Sequence, residues 1–163
     1  MVTSQTTNMT HEIDIQREGT FPGFPDDEAL LAWSAAGLAG LPDSEVCVRL
    51  VDAAEMQNLN ATWRERDQPT NVLSFPGAGE NPAGGPAHLG DVVICVPVVE
   101  REAGEQGKTL AAHVAHMLVH GMLHLQGHDH EVPDEAEVME SLERDVLQRL
   151  GFPDPYETHE VVT

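Results

Sequence analysis

Basic residues are scarce in this chain: 8 Lys and Arg stand against 28 Asp and Glu, for a formal net charge of −20. Phosphate binding usually shows as an excess of bases, so the balance taken whole argues against a nucleic-acid partner. Cysteine is nearly absent. Cys47 and Cys95 lie in apolar, strand-like segments without CxxC spacing, which excludes a disulfide framework or a thiolate metal site and leaves buried free thiols. No apolar run approaches the ~18 residues of a membrane span, and no basic start precedes an apolar run at the N-terminus. These absences predict a soluble cytoplasmic protein without membrane contact. No internal repeat is present, and a length of 163 residues fits one domain over 1–163, with mobile tails at 1–10 and 153–163.

The acid is concentrated at the ends. Residues 1–45 carry −7, residues 46–128 carry −4 and residues 129–163 carry −9. The central segment therefore holds a candidate basic patch, Arg49, Arg64, Arg66, Arg101 and Lys108, between ends that read as solvated surface.

Hydrophobic periodicity divides the chain into four strands and five helices. Ile13 and Ile15 alternate with charged neighbours as a half-exposed strand does. Pro25 and Asp26 to Glu28 start a helix that Gly40 and Pro42 end, and EVCVRLV (45–51) is a buried strand. Asp52 caps a second helix over Ala53 to Trp63, after which Val72 to Phe75 and Asp91 to Val96 read as strands flanking a glycine-rich surface loop. Pro97 opens a third helix, a long fourth runs from Thr109 to His124, and Pro133 begins a closing helix with Val138, Leu142, Val146 and Leu150 as its apolar stripe.

The chemistry is concentrated in HGMLHLQGHDH (120–130), where His120, His124 and His130 follow HxxxH, five residues, then H. Residues four apart share one face of a helix, so His120 and His124 can bind one ion. A third donor has to approach from another direction, which requires the helix to stop. Gly127 supplies the stop, and His130 returns beyond it. Three neutral nitrogens with a fourth position left to water define an open, catalytic type of zinc site. The frame is that of the metzincin proteases, but Gly121 stands where they carry their general-base glutamate, which argues against peptide hydrolysis. His113 and His116, upstream on the same helix, read as packed histidines: His113 is over 10 Å along the axis from His120 at ~1.5 Å per residue.

Taken with LNATWRERDQPTNVLSFP (59–76), HLGDVVIC (88–95), HVAHMLVHGMLHLQGHDH (113–130) and the closing DEAEVMESLE and DPY, the chain resembles the YbeY family of bacterial metal-dependent endoribonucleases, the rRNA maturation factors. The resemblance implies an α+β fold, here a small mixed four-stranded sheet flanked by about five helices, with the metal site at the end of the long central helix. It implies one Zn2+-type ion on His120, His124 and His130 and Arg64 as the functional arginine of the groove; Arg66, two residues on, is a candidate second substrate contact. It also implies a role on the 16S rRNA precursor, at its 3′ end and in ribosome quality control, in the company of the ribosome or small-subunit proteins. Where the family usually has GYDH this chain has GHDH, placing His128 beside the site. Arg64 would pair with a nonbridging phosphate oxygen. The base is the metal hydroxide, His128 or Asp129, and Asp129 equally suits a partner for a ligand's free N–H. Without the resemblance, Arg64 reads as a surface ion pair or helix cap, and Thr70, Asn71 and Ser74 as turn formers. Two other functions stay open: a non-catalytic ribosome-assembly factor with a structural metal, and a metzincin-like hydrolase of another substrate.

Overall fold

The computed structural model describes residues 2–7, 11–64, 70–79, 82–128 and 133–156, with backbone alone for 2–7, 63 and 64. Ten elements follow in order: β1 (Val2–Thr7), β2 (His11–Arg17), α1 (Asp27–Gly37), β3 (Ser44–Val51), α2 (Ala53–Arg64), β4 (Val72–Gly79), β5 (Ala87–Cys95), α3 (Val96–Glu105), α4 (Leu110–Leu125) and α5 (Pro133–Arg149). The four expected strands, β2 to β5, and the five expected helices are all present. Two starts follow from side-chain caps: Asp26 accepts from the Ala29 amide at 2.9 Å, and Asp52 from the Glu55 amide at 2.8 Å.

The sheet is mixed. Its order is β1-β2-β3-β5-β4, with β2, β3 and β5 parallel and the edge strands β1 and β4 antiparallel to their neighbours. Strand β1 lies in the stretch expected as a mobile tail. Its polar sequence concealed it, because an edge strand is held by backbone pairing, to which side-chain polarity is a poor guide. Pro76 is accommodated in β4 because that strand is an edge, where a missing amide donor costs no ladder bond.

Alternation along the strands gives the sheet two unlike faces. Ile13, Ile15, Val46, Val48, Leu50, Val92 and Ile94 form the main core with Leu30 and Leu38 of the α1 region and Val114, Leu118 and Met122 of α4. On the opposite face a smaller cluster, Val51, Leu73, Val93 and Cys95, is covered by Met56 of α2. Helix α4 is enclosed from two sides, since Ala115, Val119 and Leu123 pack against Met139 and Leu147 of α5. Such enclosure explains its nearly uniform burial, and at ~1.5–3 kcal/mol per large apolar side chain it makes α4 the best-anchored helix of the fold.

The closing helix packs through three of its four expected apolar positions, Leu142, Val146 and Leu150, but the centre of its buried face is shifted. Val138 is 54% exposed, and the fully buried positions are Met139, Glu143 and Leu147, one residue further round. Beyond α5 the chain does not leave the body at once: Pro153 to Tyr156, expected to begin a tail, folds back so that Lys108 Nζ donates to the Pro155 carbonyl at 3.4 Å. The expected basic patch is likewise altered. Among its described members Arg49 pairs with Glu18 at 2.6 Å and Arg101 with Glu105 at 3.4 Å, so neither offers unpaired charge.

Candidate metal centre

Helix α4 begins at Thr109, whose hydroxyl accepts from the Ala112 amide at 3.1 Å, and ends as the glycine position predicts. Gly127 takes φ +93°, its amide donates to the His124 carbonyl at 3.0 Å, and the His128 amide donates to the Leu123 carbonyl at 3.2 Å. This paired closure turns the chain back directly after His124.

The His120 and His124 rings lie 5.5 Å apart between centroids, at 75°. With metal–nitrogen bonds of ~2 Å and a ring centre ~1 Å behind its nitrogen, two imidazoles on one tetrahedral ion have centroids about 5 Å apart. The pair fits that requirement. Spacings of 6.4 Å from His113 to His116 and from His116 to His120 fit it less well. Among the described residues no group of three or more candidate ligands converges. The expected third donor, His130, and the neighbouring Asp129 lie outside the described residues, as does Arg66. Arg64 is the last residue of α2, with its backbone alone described, and His128 is half-buried just past the helix end.

The two histidines line one wall of a cleft of about 360 Å³ whose other wall comes from Thr70, Asn71 and Ser74 at the edge strand β4. That wall is fixed by hydrogen bonds. Asn71 Oδ1 accepts from the Val72 amide at 2.7 Å, its Nδ2 donates to Glu102 at 3.1 Å, and Ser74 Oγ donates to the Gly121 carbonyl at 3.3 Å. Glu102 also meets buried His113 Nε2 at 3.0 Å, which ties α3, α4 and the start of β4 together. Burial pushes the His113 pKa below its ordinary 6.5, although the Glu102 bond opposes the shift. His113 is thus a packed histidine, as its spacing implied.

Gly121 has a steric explanation. A Cβ there would stand 2.7 Å from Val92 Cγ1 and 3.1 Å from Cγ2, because α4 presses its backbone onto β5 at this point. The position that holds the base in metzincins faces the sheet so closely that any side chain there would force Val92 to shift.

Two residues of the site were not foreseen. Glu143 of α5 is completely buried; its Oε1 meets His120 Nδ1 at 2.7 Å and His116 Nε2 at 3.4 Å, and its Oε2 accepts from the Tyr156 hydroxyl at 2.5 Å. Burial alone would raise the Glu143 pKa, but the bonds from His116, His120 and Tyr156 outweigh it and hold the carboxyl at about 2. Tyr156, the single tyrosine of the chain, is pushed up by burial and by Glu143, so it stays a neutral donor. A carboxylate in the middle of the otherwise apolar stripe Met139–Glu143–Leu147 is the sequence signal that could have found this network.

The fold is α+β, and the paired histidines at the end of α4 border a polar cleft. The family description Endoribonuclease YbeY matches residues 28–151. The Endoribonuclease YbeY of Pseudomonas putida strain W619 is 56% identical over 146 residues, covering 89% of this chain and 92% of that protein. That of P. putida strain KT2440 is 53% identical over 153 residues, covering 93% and 97%. A solution structure of a Thermotoga maritima protein aligns with a TM-score of 0.54 at 27% identity, covering 84% of this chain and 91% of that one. The chain belongs to the YbeY family.

Proposed function

We propose that this protein is a metal-dependent endoribonuclease that cuts single-stranded RNA and acts in maturation of the 16S rRNA 3′ end and in ribosome quality control, in the cytoplasm and in contact with the ribosome or small-subunit proteins. The observation that carries the reading is the His120–His124 pair at the end of α4, spaced for one ion and facing the polar cleft. His130, which the returning chain would bring up, completes the donor set. Bound there, a divalent ion of the zinc type supplies a Lewis acid and a water of lowered pKa.

The protein's own groups have separable tasks. Glu143 accepts a hydrogen bond from His120 Nδ1–H, which leaves the lone pair on Nε2 for coordination. Thr70, Asn71 and Ser74 offer neutral hydrogen-bonding groups along the opposite wall, suited to a ribose–phosphate backbone. Arg64, at the end of α2, pairs with a nonbridging phosphate oxygen and offsets charge that builds up as the bond breaks, with Arg66 as a further contact. His128 and Asp129 are the protein groups that could take the proton from the attacking oxygen. Gly121 cannot, and a larger residue there would have to displace Val92.

The test is cleavage of a single-stranded RNA by metal-loaded protein, with His124→Ala, Arg64→Ala and a chelated sample alongside. The reading requires loss of cleavage in the His124 variant and the chelated sample, and a lower rate with metal retained in the Arg64 variant. Cleavage that survives both chelation and His124→Ala would overturn it. An Arg64→Ala protein that stays folded and metal-bound and still complements a deletion strain would point instead to an assembly factor acting by binding.

A further inference from the structure

The carboxylate of Glu143 has more partners than a packing role between α4 and α5 requires. It sits at the centre of the α5 stripe, between Met139 and Leu147, where an aliphatic side chain would bury as well and would need no hydrogen bonds. Each of its oxygens has a defined task. Oε1 is 2.7 Å from His120 Nδ1, and Oε2 accepts from Tyr156 Oη at 2.5 Å. The tyrosine is held in turn. Its ring lies edge-on to His116 at 5.3 Å, Arg144 stacks over it at 5.2 Å, and its amide donates to Asp154 at 2.8 Å.

This arrangement fixes protons. An ionised carboxylate only accepts, so His120 Nδ1 must carry a hydrogen, and a neutral imidazole carrying it there has its lone pair on Nε2. Tyr156 spends its one hydroxyl proton on Oε2, so its oxygen accepts from His116 Nε2 at 3.3 Å.

We propose that Glu143 and Tyr156 act as a pair of positioning residues for the metal: Glu143 locks His120 in its Nδ1–H tautomer and ring orientation, and Tyr156, reaching back from beyond α5, clamps the second carboxylate oxygen so that the lock cannot rotate away. The inference rests on the reading of His120 as a metal ligand. It assigns a function to the segment after α5, which would otherwise be a surface extension.

The test compares Glu143→Gln, Tyr156→Phe and, as a matched control at the other buried histidine–carboxylate pair of α4, Glu102→Gln, which removes the charge facing His113 without touching His120. Two quantities are read: zinc affinity by chelator competition, and the ¹⁵N imidazole shifts of His120 in metal-free protein. Glu143→Gln should weaken zinc binding by about 10- to 100-fold and mix the two His120 tautomers. Tyr156→Phe should move both readouts in the same direction by a smaller factor, and Glu102→Gln should move neither. The proposal fails if folded Glu143→Gln keeps wild-type affinity and the Nδ1–H signature, or if Glu102→Gln loses as much affinity. Should Glu143→Gln not fold, Tyr156→Phe decides alone, since it deletes one hydroxyl and keeps the ring; unchanged affinity and unchanged shifts would then refute the clamp. Neither readout involves RNA, so failure of the nuclease reading and failure of this one are distinguishable.

Discussion

Replacing Gly121 by alanine tests whether the close approach of α4 to β5 governs this region. The new methyl would stand 2.7 Å from Val92 Cγ1, 3.1 Å from Cγ2 and 3.3 Å from Ser74 Oγ. Val92 is fully buried and β-branched, so it has little rotamer freedom with which to give way. Overpacking of this kind costs about 1–3 kcal/mol. Against it stands the helix propensity of alanine, worth about 1 kcal/mol over glycine in a helix interior. The steric term wins, and Gly121→Ala should lose up to ~2 kcal/mol in urea unfolding of the metal-free protein, where ligand linkage does not enter. The partner change Val92→Ala should cost about 2 kcal/mol alone, from lost methyl burial and the space left behind. Combined, the two should cost less than their sum by about 1–2 kcal/mol, because the alanine methyl occupies part of that space. If Gly121→Ala is instead more stable than wild type by about 1 kcal/mol, and the pair is additive to ~0.3 kcal/mol, the contact does not govern the position and the steric account of the missing glutamate fails.

Three further outcomes are expected. His113 should titrate below 6.5 by NMR; the unfolded chain then takes up its proton first, so this contribution to stability is complete above 6.5 and is lost as pH falls through the depressed folded value. A His113 midpoint at or above 6.5 would contradict it. Burial, then Asp91 and Asp14, push the Cys47 thiol up to about 12, so alkylation at pH 8 should run ~10²–10³-fold slower than for an unperturbed thiol, and equal rates would refute the assignment. Gly127→Ala, which forces a Cβ into φ +93°, should cost about 1 kcal/mol in chemical denaturation, whereas an unchanged midpoint would mean that the turn is not held by that conformation.

What could be read from the chain was what is local. The caps at Asp26 and Asp52, the stop at Gly127 and the i,i+4 histidines depend on neighbours within one or two turns, and each is found where its spacing places it. What escaped depends on partners distant in sequence. The stripe of α5 offers Val138 and Met139 side by side, and only the position of α4 selects Met139 for burial and leaves Val138 to solvent. Glu143 was hidden among the acids of the C-terminal third, because its difference from Glu140 or Asp145 lies in histidines 23 and 27 residues away on another helix. Tyr156 follows Pro153 and Pro155, a context that reads as a chain end, and its bond crosses 13 residues. The extent of β4 was also read too short: the glycines at 77 and 79 signal a loop, yet the strand continues through them to Gly79, opposite His88.

Helix α4 has a further consequence through its composition. Its 16 residues include no Asp, Glu, Lys or Arg, so the negative potential towards its C-terminal end comes from the aligned peptide dipoles, equivalent to roughly half a negative charge, and from the buried Glu143 carboxylate beside His120. His124 stands in that last turn. On a protein of net charge −20, an RNA phosphate approaching this end alone is repelled, whereas a divalent cation is drawn there. Loading the site would therefore reverse the local sign of the field. On the proposed reading, the ion would make an anionic surface attractive to a polyanion before any bond is cleaved.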